Sequence, residues 1–309
     1  MKHSIITSLG LAGLASVSLV TPALASLSID YVTVGDVGKA ADTNGYGKVD
    51  YAYNIGKYEV TNAQYVNFLN ATAQTDSYSL YNTEMSSYGI TRANSSGSYT
   101  YSATSGFENK PVVYVSWFDA ARFSNWLGNG QGSGGTETGA YTLTGGQTTG
   151  IVMVNAGAKV YIPSENEWYK AAYYNGTTSA YSLYPNGQNT ITTADANYSR
   201  SASTNVGFYS GDPSSYGTFD QGGNVWEWND AVRAGGRRGR RGGSWEGGNS
   251  DFLASSYRDA NTPQTEFEYM GFRVASSELA AVPEVTSSFT LLGLITSGLL
   301  LRRRTKTLR

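Results

Sequence analysis

The sequence predicts an α+β domain with few short helices, short strands and long ordered loops. Three segments carry helix-start residues followed by apolar side chains at i, i+3 and i+4 spacing. Between them, the stretches 72–109 and 128–158 are rich in Gly, Ser, Thr, Tyr and Asn, and the 309-residue chain contains 37 glycines. Such stretches, which lack sustained periodicity, favour turns and short strands over long regular elements.

The three predicted helices share one design, in which a hydroxyl side chain at the N-cap precedes an apolar face. Thr61, Ser116 and Ser164 are the predicted caps, and Asp119 and Glu167 stand three residues after the second and third. We expect the apolar faces to pack in the core. They consist of Tyr65, Phe68 and Leu69 in the first helix, of Trp117, Ala120, Phe123, Trp126 and Leu127 in the second, and of Trp168, Ala171 and Ala172 in the third.

The N-terminal segment 1–25 has the pattern of a secretory signal peptide. Lys2 precedes an apolar run over 5–20, and an Ala-Leu-Ala site follows at 23–25. The pattern predicts cleavage after Ala25 and export of the domain that follows, which we assign to 26–275.

The C-terminal segment predicts a membrane anchor. A linker at 276–284 leads into 17 uncharged residues at 285–301, which predict a transmembrane helix, and a basic tail at 302–309 is expected to stay in the cytoplasm. A buried terminal helix with a basic tail is the alternative. The arrangement resembles the PEP-CTERM sorting signal, with Val282-Pro283-Glu284-Val285 where that family has Pro-Glu-Pro. The resemblance implies a sorting protease of the exosortase type, and a transient inner-membrane anchor before release to the cell envelope or extracellular matrix.

The composition excludes several kinds of catalytic site. The chain has no cysteine, and its one histidine, His3, lies in the segment that we expect to be removed. Ser-His-Asp and Cys-His catalysis, zinc sites with His or Cys ligands, and two-His-one-carboxylate iron sites are therefore excluded, as are disulfides. What remains is calcium or magnesium binding by oxygen ligands, paired-acid catalysis, or no catalysis.

The charge of the predicted domain is acidic. Residues 26–275 contain 16 Lys and Arg and 22 Asp and Glu, so 16 − 22 gives a formal charge of −6. Nucleic acid is therefore not expected as a partner. One basic run, RAGGRRGRRGG at 233–243, is interpreted as a solvated loop, with contact to phosphate or an anionic polymer as the alternative.

Six motifs, in order, resemble the domain of the formylglycine-generating enzyme and its sulfatase-modifying-factor relatives. They are GKYEVTNAQYVNFLNA at 56–71, PVVYVSWFDAARFSNWL at 111–127, IPSENEWYKAAYY at 162–174, GNVWEWND at 223–230, RGGSW at 241–245 and GFRVA at 271–275. The resemblance implies a C-type-lectin-like α+β fold in which long loops surround a small sheet.

The same resemblance implies a calcium site in the stretch FDQGGNVWEWND at 219–230. The family pattern places its oxygen ligands at Asp220, Gly223, Val225 and Glu227. The chemistry agrees, because calcium takes six to eight oxygen ligands from carboxylates and backbone carbonyls. Trp226 and Trp228 would then point into the core. A solvent-facing acid pair beside core tryptophans is the alternative.

The family's oxidase chemistry is not expected here. Its two copper-binding cysteines would fall at about Gly247 and Phe252, and neither side chain can bind a metal. Other relatives use iron held by histidines, which this chain lacks. We therefore predict no catalytic residues and no copper, zinc or iron.

These observations favour a non-catalytic, calcium-stabilised binding domain whose partner is an extracellular polysaccharide or a surface protein. A structural matrix protein without a specific ligand is a related hypothesis. The alternative from another class is an enzyme, either an oxidoreductase of the family or a hydrolase that uses paired carboxylates. The available pairs are Glu165 with Glu167 and Glu227 with Asp230.

Overall fold

All three predicted helices form in the computed structural model, which describes residues 27–278. In each helix the N-cap hydroxyl accepts a hydrogen bond from the backbone N–H three residues later, and the side chain at that position bonds back to the N-cap N–H. The predicted caps Thr61, Ser116 and Ser164 are confirmed. The helices are α1 at Asn62–Thr72, α2 at Trp117–Gly128 and α3 at Glu165–Tyr173.

The strands are short, as the glycine-rich sequence predicts. Two 3-10 helices, at Thr83–Ser87 and Ser250–Leu253, and a turn at Ala234–Gly236 accompany them. The strands are β1 at Tyr31–Val34, β2 at Tyr53–Gly56, β3 at Ile90–Ala93, β4 at Thr100–Ala103, β5 at Val160–Tyr161, β6 at Tyr174–Asn175, β7 at Ala180–Tyr181, β8 at Trp226–Arg233, β9 at Arg237–Arg241, β10 at Asp259–Asn261, β11 at Met270–Gly271 and β12 at Ala275–Ser276.

Two four-stranded sheets and two hairpins contain all the strands of residues 27–278. The first sheet has the order β1-β2-β12-β5, and all its neighbours are antiparallel. The second has the order β10-β9-β8-β11, in which only β8 and β11 are parallel. The hairpins are β3-β4 and β6-β7. The predicted α+β class with few short helices is confirmed.

Aromatic side chains of α1 and α2 form the centre of the largest core cluster. Tyr65 and Phe68 of α1 contact Phe123 of α2 with ring centroids 6.1 and 5.5 Å away. Trp126 and Phe272 complete the group, and all five side chains are buried. Stacked, edge-on and tilted aromatic contacts of this kind add about 0.5–1.5 kcal/mol per pair beyond area burial. The apolar faces read from the sequence are therefore the core of the domain.

The second helix is buried more completely than its apolar stripe predicts, because a loop covers its polar face. Asn125 donates hydrogen bonds to the carbonyls of Thr136 and Tyr141 at 2.8 and 2.9 Å. Arg122 pairs with Glu137 at 2.7 Å. The glycine-rich stretch 128–158 is thus an ordered loop held on α2 by its buried polar side chains.

The interpretation of the arginine run 233–243 as a solvated loop is wrong. The run forms the turn after β8 and then β9, and Arg238 and Arg241 are buried. Arg238 pairs with Asp230 at 2.9 Å and lies over the ring of Trp117, 3.6 Å from its centroid. Because carboxylates and aromatic rings from other elements surround these guanidinium groups, they are internal to the fold and not available to an anionic polymer.

The predicted terminal segments lie outside the described residues. They are the signal peptide at 1–25, the transmembrane helix at 285–301 and the basic tail at 302–309. Within 27–278, no helix combines the length and apolar character needed to cross a membrane.

Candidate functional site

Strand β8 carries Glu227 into the core between two buried tryptophans. Trp226 and Trp228 are buried, as predicted, but Glu227 is fully buried as well. One carboxylate oxygen accepts hydrogen bonds from Trp168 Nε1 at 2.7 Å and from Arg273 Nε at 2.6 Å, and the other accepts from Arg273 Nη2 at 2.7 Å. The alternative of a solvent-facing acid pair is therefore wrong for Glu227.

Arg273, from the GFRVA motif, is the counter-charge of Glu227. Its side chain is fully buried and also donates to the backbone carbonyls of Gly56, Lys57 and Phe219 at 2.9, 3.2 and 2.8 Å. Burial by itself lowers the pKa of Arg273, but the charge of Glu227 and the hydrogen bonds to it outweigh this effect and raise the pKa. Arg273 therefore joins the two sheets to the loop that precedes β8.

Two further carboxyl groups face the same arginine. Glu59 is buried, and burial together with the charges of Asp220 and Glu227 raises its pKa well above the ordinary value. Burial raises the pKa of Asp220 to about 6, although its carboxylate accepts a hydrogen bond from the Gly207 N–H at 2.5 Å. Three carboxyl groups thus share one arginine, which leaves an excess of two negative charges if all three are ionised.

The loop before β8 brings these groups close to Asn197. Gly223 has φ +88°, and a Cβ there would lie 2.4 Å from the carbonyl oxygen of Asn197. Asn224 connects Glu59 with Asn197, because its Nδ2 donates a hydrogen bond to Glu59 at 2.9 Å and its Oδ1 accepts one from Asn197 Nδ2 at 3.1 Å. Gly223 therefore lets the loop pass close to the backbone of Asn197, where a side chain would clash.

Two buried side-chain oxygens at this place accept no hydrogen bond within the described part of the chain. They are Oε2 of Glu59 and Oδ1 of Asn197. A buried acceptor without a partner costs about 1–3 kcal/mol, so natural proteins usually supply a donor, a water or an ion. Together with Asp220, these groups are hard oxygen donors of the kind that calcium prefers.

The predicted metal ligands therefore divide into two groups. Asp220, Gly223 and Val225 lie in the loop and at its junction with β8, whereas both oxygens of Glu227 are held by Arg273 and Trp168. Within residues 27–278, no cluster of three or more Asp, Glu, His or Cys side chains is arranged to hold a metal ion. Any ion at this place would need amide or backbone oxygens as well as carboxylates.

Glu59 and Asn197 are members of this site that the sequence did not predict. Glu59 lies in the GKYEVTNAQ stretch and Asn197 lies well before the WEW motif, so neither is close to it along the chain. The position of Glu59 directly between Tyr58 and Val60 was the one local signal for a buried charge.

Gly247 and Phe252, the positions at which the family resemblance places the two cysteines, pack against each other. A Cβ at Gly247 would lie 3.1 Å from Cδ2 of Phe252, so the structure brings these two positions into contact. Phe252 packs on Trp226 and Tyr257 with ring centroids 6.0 and 4.9 Å away. Where the family pattern places a thiol pair, this chain has a glycine and an aromatic cluster.

The carboxylates of the pairs available to the alternative hydrolase hypothesis each have their own fixed partners. Glu165 pairs with Arg241 at 2.8 Å and with Arg258. Glu167 accepts from the Ser164 N–H at 2.8 Å and from two tyrosine hydroxyls, those of Tyr51 and Tyr161, at 3.1 and 2.8 Å. Glu227 is held by Arg273, and Asp230 by Arg238. These contacts explain the four acids as structural groups.

Comparisons with known proteins agree with this architecture. The sequence model of the FGE-sulfatase family, described as a sulfatase-modifying factor enzyme 1-like domain, matches residues 39–278. Variable protein 1 of Treponema denticola is similar in structure, with 22% identity and a TM-score of 0.58 over 82% of this chain and 97% of that one. The crystal structure of CarF has 24% identity and a TM-score of 0.55, over 81% of this chain and 98% of that one. No curated protein sequence matches the chain. At these identities, the structural neighbours establish the shared fold.

Proposed function

The chain belongs to the family of sulfatase-modifying factor enzyme 1-like domains, and we propose that this member is a non-catalytic, calcium-stabilised binding domain. The observation that carries the proposal is the contact of Gly247 with Phe252 at the place where the family pattern has its thiols, in a chain without cysteine. Its partner is an extracellular polysaccharide or a surface protein.

The terminal segments support export as part of this proposal. The signal-peptide pattern at 1–25 directs the chain out of the cytoplasm, and the PEP-CTERM-like tail provides a transient anchor that an exosortase-type protease removes. The mature domain then resides at the cell envelope or in the extracellular matrix.

The excess of carboxyl groups around Arg273 supports the proposed calcium site. Asp220 and Glu59 would contribute carboxylate oxygens and Asn197 an amide oxygen, and the carbonyls of Gly223 and Val225 remain the predicted backbone ligands. A bound cation would offset the excess negative charge and give the two unpartnered oxygens a ligand. In this arrangement Glu227 holds Arg273 and lies beside the ion site without ligating the ion.

Calcium is expected to stabilise the full chain, and more strongly at pH 7 than at pH 4.5. At about 100 times Kd, an ion that binds only the folded state adds about 2.7 kcal/mol to the free energy of unfolding. The folded-state pKa of Asp220 is raised to about 6, and that of Glu59 is raised as well. Without calcium, the contribution of Asp220 to stability is therefore present below about pH 4 and is lost as the pH rises through about 6, and that of Glu59 is likewise lost as the pH rises through its raised pKa. Calcium replaces the protons, so its effect grows over the same range.

The measurement is thermal unfolding with calcium and with a chelator at both pH values. Asp220→Asn and Glu59→Gln should each remove the calcium-dependent shift and should stabilise the chelated protein at pH 7. Asp50→Asn is the matched control, because the Asp50 side chain is 65% exposed, and it should keep the shift. Equal melting temperatures with calcium and chelator at pH 7 would eliminate the metal site.

The purified chain, supplied with copper and oxygen, is expected not to oxidise the cysteine of a peptide substrate to an aldehyde at its Cβ atom. The physical reason is that the chain has no cysteine, so it offers no thiolate to bind copper or to form a disulfide with the substrate thiol. Mass spectrometry and an aldehyde-reactive probe provide the measurement, with copper alone as the control. Aldehyde formation above that control would show the non-catalytic proposal to be wrong.

A further inference from the structure

An apolar segment lies exposed beside the turn of the β8–β9 hairpin. Residues 151–154 read Ile-Val-Met-Val, and the exposed fractions of Ile151 and Met153 are 58% and 61%, while Val154 is 39% exposed. Val152, between them, is buried in the core. This alternation between core and solvent over 151–153 is typical of an extended segment with one face covered.

The backbone of this segment has no strand partner. Within residues 27–278, no group accepts a hydrogen bond from the N–H groups of 151–154, and the segment belongs to none of the sheets. The carbonyl of Val152 accepts a hydrogen bond from the buried guanidinium of Arg238, which holds the segment on the domain. An anchored segment with free backbone donors and acceptors can pair with an added strand.

Apolar surface continues from this segment in two directions. Val232 of the hairpin is 37% exposed, and a Cβ at Gly236 would lie 4.0 Å from Cγ1 of Ile151. On the other side, Val154 lines a cavity of about 250 Å³ together with Tyr51 and Tyr161. The cavity is wide enough for one or two apolar side chains of a bound molecule.

We propose that residues 151–154 are the docking edge for an extended polypeptide segment of a protein partner. An added strand would bond to the backbone of 151–154 and place an apolar side chain in the adjacent cavity. The exposed side chains of 151–154 are aliphatic, and together with the unpaired backbone they favour main-chain and apolar recognition of a polypeptide. This inference rests on the proposed function of a binding domain, and it names the ligand as a protein strand.

The test uses the full chain and a fluorescein-labelled peptide of alternating valine and threonine, flanked by lysines. Fluorescence anisotropy should show saturable binding, and hydrogen exchange of the amides of 151–154 should slow at least about tenfold when the peptide is bound. Met153→Glu should weaken binding at least about tenfold, since it places a charge on the apolar edge. Ile151→Lys should do the same, whereas Phe208→Glu, at a side chain that is 65% exposed elsewhere, should leave binding unchanged. A peptide with alternate N-methylated amides should not bind.

Four results would overturn the inference. Peptide binding that Met153→Glu and N-methylation leave unchanged would place the contact elsewhere. Self-association of the chain, seen by sedimentation velocity and lost in Met153→Glu, would make the edge an interface between copies. Binding of cellohexaose lost in Met153→Glu, or no binding and no amide protection with any probe, would also exclude a peptide edge. If the chain keeps its calcium-dependent stability and its inactivity on cysteine peptides in these cases, the proposed function survives and only this inference fails.

Discussion

Replacing Arg273 by methionine is expected to lower the free energy of unfolding by about 3–5 kcal/mol, a large part of the about 5–15 kcal/mol that is typical of a folded protein. Arg273 is the buried partner of Glu227, and its charge also faces Glu59 and Asp220. Without it, these carboxyl groups lose their only neighbouring cation among the described residues, and three backbone carbonyls lose their donor. Urea unfolding followed by tryptophan fluorescence measures the loss.

Two controls separate the buried charge from the general effect of losing a cation. Lys159→Met removes one partner of the Lys159–Glu278 pair, whose side chains are 62% and 61% exposed, and it should cost less than about 1 kcal/mol. The double variant Arg273→Met with Glu227→Met should be more stable than Arg273→Met alone, because no unpaired Glu227 remains buried. Equal stability of Arg273→Met and the wild type would contradict the central role of this ion pair.

Gly223→Ala is expected to destabilise the domain strongly. A left-handed backbone conformation alone costs an alanine about 1–2 kcal/mol, and the loss of stability here should be well above that value. A Cβ at position 223 would lie 2.4 Å from the backbone oxygen of Asn197 and 2.8 Å from its carbonyl carbon. Backbone atoms cannot rotate away as a side chain can, so the loop before β8 or the turn at Asn197 must move. Because Asn224 is hydrogen-bonded to both Glu59 and Asn197, the movement should also remove the calcium-dependent stabilisation.

Gly217→Ala is the matched control for this variant. Gly217 has φ +85°, almost the same as the +88° of Gly223, but the nearest atom to a Cβ there is Cγ1 of Val32 at 3.8 Å. Gly217→Ala therefore measures the cost of backbone conformation without the clash, about 1–2 kcal/mol. Thermal unfolding of the two variants, with calcium and with chelator, gives the comparison. If they lose the same stability, the close approach to Asn197 does not matter to the fold.

The candidate site was only partly predictable, because its partners are distant in sequence. The WEW motif correctly indicated buried Trp226 and Trp228. The sequence contains no local signal that Glu227 pairs with Arg273, 46 residues later, since any of the chain's Lys and Arg residues is an equal candidate until the strands are assembled. Glu59 and Asn197 enter the site for the same reason.

By itself, the sequence determined the features that depend on neighbours within a few residues. The three capped helices are such features, because a capping box and an apolar face at i, i+3 and i+4 involve a single helix. The absence of cysteine likewise excludes thiol chemistry without reference to any fold. Only the tertiary structure decided where the charges go. It buried Arg238 and Arg241 of the basic run against Asp230 and Glu165. A buried charge is stable only beside a partner that the fold supplies, and that partner here comes from another part of the chain.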